Sequence, residues 1–136
     1  MSNSTYAKAR AAAYQGEINL LTADIRFAIV DGASYTPNLS THEFLSDIPS
    51  GAIVGTSDLL TGKSISGGVF STSPVTFSDS PGDPGSPVVA ELLVCYIDTG
   101  SDATSRLLSK MDSGSNLPVT LNGSAVTVAF PAIFSF

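Results

Sequence analysis

From Asp24 to the C-terminus the apolar residues come in short runs, and each run stops at a cluster of Gly, Pro, Ser, Asn or Asp. A chain punctuated this often has no room for long helices, but it suits short strands joined by turns. With 136 residues there is about one domain's worth of chain, enough to bury a core without staples. Charged residues make up only 13%, against an ordinary share of ~25%. The polarity comes instead from 21 Ser and 12 Thr, beside 12 Gly and 8 Pro. So little charge with 43% apolar residues is the reverse of a disordered composition.

Read along the chain, the pattern predicts one helix and about eight strands. Tyr6–Gln15 holds five alanines, with Ser4 placed to cap it and Gly16 to end it. Tyr6, Arg10, Ala13 and Tyr14 fall near one face of that helix. Residues 1–23 are read as a helical arm and 24–136 as a β-sandwich domain. Ile25, Phe27 and Ile29 then alternate with Arg26 and Ala28, a half-buried strand ending at Asp31-Gly32. Ser40 and Glu43 have capping-box spacing, which predicts a short helical turn with Phe44 and Leu45 inward and Pro49 as its stop. Strands are expected over Ala52–Thr56, Lys63–Phe70 and Val75–Ser78, with an exposed Pro/Gly loop over Ser78–Pro87.

Val88–Ile97 is apolar on both faces and reads as a central strand covered on both sides. Arg106–Met111 fits either a strand or a helical turn. Asn122-Gly123 is the preferred dipeptide of a two-residue type I′ hairpin. That turn would pair Val119 with Val126 and Leu117 with Val128, and put Leu121 and Phe130 on the same face. Ala132–Phe136 is expected to form a last strand. The fold class is mainly β: an antiparallel sandwich, jelly-roll or immunoglobulin-like, with a short N-terminal α-helix.

The formal charge of -6, with six basic residues against twelve acidic ones, bears on function. Lys and Arg are nowhere clustered, so neither nucleic acid nor an anionic membrane surface is an expected partner. No apolar run reaches the ~18–20 residues of a membrane span, and no apolar segment follows Lys8 and Arg10, so synthesis in the cytoplasm is expected. Cys95 is alone, which excludes an internal disulfide or a cysteine-built zinc site.

Catalytic and metal-binding patterns are sparse. Cys95-Tyr96-Ile97 leading into Asp98-Thr99-Gly100-Ser101 resembles the active-site turn of aspartic proteases, whose paired carboxylates share a proton. A homodimer would bring two copies of Asp98 together. Only 38 residues follow Asp98, too few for the flap and second apolar segment of that family, so an ordinary Asp-Thr-Gly turn is the plainer reading. His42, the one histidine, is expected at a solvent-exposed position without triad partners. Cys95 is expected to be buried and inert. Asp79 with Asp83, or Asp98 with Asp102, offers too few ligands for a dedicated calcium loop. Three glycosylation sequons, at Asn3, Asn38 and Asn122, are what a chain this rich in Ser and Thr produces by chance. No catalytic residue, cofactor or metal is assigned.

Several segments together carry a resemblance. They are Gly16-Glu17-Ile18-Asn19-Leu20-Leu21, Ile25–Asp31, Tyr35-Thr36, His42–Pro49, Gly68-Val69-Phe70, Val75-Thr76-Phe77, Tyr96–Gly100 and Leu117–Thr120. In this order the chain resembles small virion proteins of tailed bacteriophages, of the capsid decoration or cement type. The resemblance implies a non-enzymatic, homo-oligomeric β-sandwich that binds the outer face of the major capsid protein lattice. The alternatives are a protein of the tail or head–tail junction, or a host-surface glycan-binding module. Under this resemblance the N-terminal helix and the aromatic C-terminus are expected either to carry subunit contacts or to cover the sandwich's own edges.

Overall fold

The computed structural model describes residues 4–78, 85, 88–90, 92–111, 119–128 and 134–135. Its strands are β1 (Ser4–Thr5), β2 (Ile25–Val30), β3 (Ile53–Thr56), β4 (Ser64–Ser66), β5 (Val69–Ser71) and β6 (Val75–Phe77). The later ones are β7 (Val88–Ala90), β8 (Leu92–Ile97), β9 (Leu107–Met111), β10 (Val119–Leu121), β11 (Val126–Val128) and β12 (Phe134–Ser135). Among the described residues the one α-helix, α1, spans Ala7–Tyr14. The chain is thus mainly β, with several antiparallel sheets and one short helix.

The largest sheet has five strands in the order β1-β9-β8-β2-β3. β2 and β8 pair along their whole length, from Ile25 opposite Ile97 to Val30 opposite Leu92. β8 is apolar on both faces and β2 nearly so, Arg26 being its one charged residue, and Leu92 to Tyr96 are all buried, so this sheet is covered on each side. The core joins its residues, such as Phe27, Leu93 and Leu107, to Phe70 and Phe77 of the smaller sheets and to Tyr6. Those smaller sheets are β10-β7, β11-β6 and β12-β5-β4.

The outer edge of β9 is closed by two stretches of the same chain. Ser4 and Thr5 lie opposite Lys110 and Ser109, and the Tyr6 amide donates to the Leu108 carbonyl at 3.0 Å. Further along, the Leu107 amide donates to Glu43 O (2.9 Å) and the Leu45 amide to Ser105 O (2.7 Å). At the opposite edge, the β2–β3 register shifts between Ile29 and Val30, a bulge of the kind that blunts an edge strand.

Several expectations are corrected at this level. Ser4 does not cap the helix; it sits in β1, because β9 offers its backbone a ladder, and the helix starts after the extended Tyr6. The buried face of α1 is Ala9 and Ala12, which let the backbone pack closely, whereas Tyr14 is 76% exposed. Gly16 ends the helix as expected, at φ +77°. Ser4 and Thr5 join the main sheet, and Tyr6 is fully buried. The turn near residue 45 is a 3₁₀ turn over Leu45–Asp47, and its cap is Asp47 rather than Ser40. One Asp47 oxygen accepts the amides of Glu43 (2.7 Å) and Phe44 (3.0 Å). Leu45 is buried and Phe44 half-buried.

Lys63–Phe70 is not one strand. Gly67 and Gly68 take φ of +59° and +79°, as both central positions of a type I′ turn require, and β4 folds back on β5. Val88–Ile97 is likewise divided between two sheets: β7 pairs with β10, and β8 with β2 and β9. Arg106–Met111 resolves as strand β9. Asn122-Gly123 makes a bend rather than the expected type I′ turn: Gly123 takes φ +90°, but Asn122 does not take the positive φ that type I′ also requires, and its Oδ1 instead accepts the Ser124 amide at 3.2 Å. Its two strands do not pair with each other. Val119 lies opposite Ala90 and Val126 opposite Phe77, so the turn is a corner between two sheets. The physical reason is that turn chemistry sets only local dihedrals, while β7 and β6 supply better-placed ladders. Within Ala132–Phe136, Phe134 and Ser135 pair with β5. Leu117, Phe130 and most of Ser78–Pro87 lie outside the described residues.

Candidate functional site

Asp98 leaves the end of β8, where its own amide donates to Asp24 O at 2.8 Å. Its carboxylate is held at both oxygens: Gly100 N–H donates to Oδ1 (2.9 Å) and Arg26 Nε to Oδ2 (2.8 Å). The Gly100 amide first, and then the Arg26 guanidinium, hold this carboxyl below the usual carboxylate range, against a partial desolvation that opposes them. The rest of the turn closes on hydroxyls. Ser105 Oγ donates to Ser101 O (2.8 Å), and the Thr99 amide donates to Ser105 Oγ (3.2 Å).

Arg26 also donates from Nη1 to Ser57 O at 2.8 Å. Two of its bonds therefore clamp the guanidinium between β8 and the segment after β3. Beside it opens a groove of about 500 Å³, lined by Arg26, Asp58, Leu59, Thr61, Pro74 and Thr76. The groove lies where two sheets meet, because the Asp58 amide donates to Thr76 O (2.9 Å) and the Ser57 amide to Phe27 O (2.8 Å). Asp58 Oδ2 accepts the Ser78 hydroxyl.

No protein-family model matches this chain, and no relative is found among curated proteins. The site is therefore interpreted from its own geometry.

His42 is half-buried, a correction to the exposed position expected for it. Its ring stacks on Tyr35, with centroids 5.4 Å apart and 24° between planes. Nδ1 lies 2.8 Å from Tyr35 Oη and 3.2 Å from the Asn38 amide nitrogen. The Asn38 amide can only donate, so Nδ1 accepts; the tautomer is assigned from this network. Tyr35 then donates to His42, and Tyr6 Oη donates to Tyr35 Oη at 2.8 Å. Burial pushes both phenols up from their ordinary range. The three residues tie the start of α1 to the loop after β2. They form a closed structural chain, with Tyr6 fully buried at its end.

Cys95 is a free, fully buried thiol, and burial pushes it up. The facing Ser109, opposite it in the β8–β9 ladder, offsets this in part, and its buried hydroxyl has no hydrogen-bond partner among the described residues. Among the described residues no three His, Cys, Asp or Glu side chains come together as a metal site, and no helix is long and apolar enough to cross a membrane. Asp79 and Asp83 lie outside the described residues.

Sequence reasoning missed the clamp on Asp98. Arg26 is 72 positions away in the chain, and only the β2–β8 register brings it close. It also missed the groove, whose residues come from β2, β6, the turn before β6 and the segment between β3 and β4. The one available signal was the lone Arg in an otherwise apolar strand.

Proposed function

We propose that this chain is a non-enzymatic structural virion protein: a capsid cement protein that self-associates and binds the outer face of the major capsid protein lattice. The observation that carries the reading is the resemblance of ordered segments across most of the chain to small tailed-phage virion proteins. Its site of action is then the capsid surface, after synthesis in the host cytoplasm, with no nucleic-acid or membrane partner. We read the sheets as layers of a sandwich of jelly-roll or immunoglobulin-like type, supported by strands buried on both faces.

The chemistry around Asp98 supports the non-enzymatic reading. A shared-proton dyad needs one carboxylate that holds its proton, whereas Gly100 N–H and Arg26 both favour the charged form. A surface rich in Ser, Thr and Gly can meet a neighbour without stripping water from many charges. A lattice then multiplies a modest interface over many copies.

Quantitative mass spectrometry of purified particles tests the proposal, reported as copies per major capsid protein. A ratio within a few-fold of one is the expected result. A ratio of a few per cent would move the protein to the tail or head–tail junction, and its absence from particles would overturn the structural reading.

A further inference from the structure

We infer that the groove beside Arg26 is a binding site for a neutral saccharide. The inference is independent of any lattice role, since it rests only on the described residues that line the groove.

The backbone around the groove is committed. The amides of Ser57, Asp58, Leu60 and Ser73 donate to the carbonyls of Phe27, Thr76, Ile25 and Thr61, all at 2.8–2.9 Å. Among the described residues these amides leave no run of free donors along the groove for a peptide to extend as an added strand, so the ligand is recognised by side chains. Those side chains combine a guanidinium, a carboxylate and two hydroxyls with the apolar surfaces of Leu59 and Pro74. Leu59 is 43% exposed. Sugars present this same mixture: hydroxyls that both donate and accept, and a C–H face that packs on apolar carbon.

Two observations sharpen the class. Arg26 is already fixed by Asp98 and Ser57 O, so it enters the groove preorganised, with Nη2 bonded to none of the described residues. Asp58 uses one oxygen on Ser78, and none of the described residues bonds the other. Arg26 is balanced by Asp98, which leaves Asp58 as the net charge on a chain that is itself at -6. An acidic sugar or a phosphate would be repelled, while a neutral one is not. The volume of about 500 Å³ lies within the range of small-molecule sites, and the groove is open, which fits weak, exchangeable binding.

The test is a titration of the isotope-labelled full-length chain, followed by amide chemical shifts. The probes are lactose, maltose, mannobiose and N,N′-diacetylchitobiose, with sialyllactose and a neutral Gly-Ser peptide as contrasts. At least one neutral disaccharide should move the amides of Asp58, Thr61 and Thr76 saturably. Asp58→Ala should weaken that binding roughly tenfold or more, as expected for loss of a charge-assisted hydrogen bond. Thr61→Val should weaken it less, and a thermal melt of each variant checks that it folds. The inference is overturned if no neutral probe moves these amides at ~100 mM, a concentration that would detect even very weak sites. It is equally overturned if Asp58→Ala binds as the parent does, or if sialyllactose or the peptide binds more tightly.

Discussion

Tyr35 is the residue whose hydroxyl does most for its neighbours. It accepts from Tyr6 and donates to His42, so Tyr35→Phe leaves the fully buried Tyr6 hydroxyl with no acceptor. That variant should lose about 1–3 kcal/mol. Tyr6→Phe removes the orphan itself and should cost less, and the double variant should recover part of the Tyr35→Phe loss. Urea midpoints of the three variants check the order, and equal losses would refute the directional chain. Asp98 makes a prediction in pH. Its folded-state pKa is lowered, so it adds stability that is present above the unfolded carboxylate value of ~3.9 and lost as pH falls through the folded value. Asp98→Asn should therefore be less stable than the parent at neutral pH, and the gap should narrow in acid. Denaturant melts at neutral and acid pH measure it. Asp47, lowered by the Glu43 and Phe44 amides, adds to the parent's acid sensitivity in the same direction. That Asp98 ends a strand in a turn was legible from Asp-Thr-Gly; that it is clamped by Arg26 was not, since the contact spans 72 positions.

Elements were legible where local chemistry decides them. β2 appeared as an alternating run, β8 as a doubly apolar one, and the end of α1 as a glycine. The failures all concern what an element packs against. An alanine-rich helix has almost no amphipathic signal, so its buried face could not be read from spacing: Ala9 and Ala12 are inside, and Tyr14 is out. Ala9→Leu should overpack this contact and cost about 1–3 kcal/mol, whereas Ala11→Leu on the exposed side should change little. Thermal melts of the pair check this, and equal effects would mean that the helix is not docked by that face. The Gly67-Gly68 hairpin was available in the sequence, since two adjacent glycines are themselves a type I′ signal.

At the scale of the molecule, the N-terminal segment belongs to the main sheet. β1 and the residues near Glu43 together close the edge of β9, and Tyr6 fills the core beside them. A chain starting at residue 24 would bare that edge and empty the Tyr6 site. It should melt without a sharp transition or aggregate, as scanning calorimetry and light scattering would report. A shortened chain that melts as sharply as the parent would show that the segment is dispensable for folding.

The amino-acid order alone determined the class of this protein: short strands, many turns, one helix, little charge and a buried thiol. Those properties follow from side-chain periodicity and backbone preference, which act over a few residues. Which strand pairs with which was decided only in the folded molecule. Asn122-Gly123 carries the dipeptide of a type I′ hairpin, yet only Gly123 takes a positive φ and β10 goes to β7 and β11 to β6, because a ladder forms wherever packing brings two edges together. The Arg26 clamp, the Tyr6–Tyr35–His42 chain and the groove beside Arg26 depend on that pairing. Each joins residues far apart in the chain, and no spacing along the chain encodes such a distance.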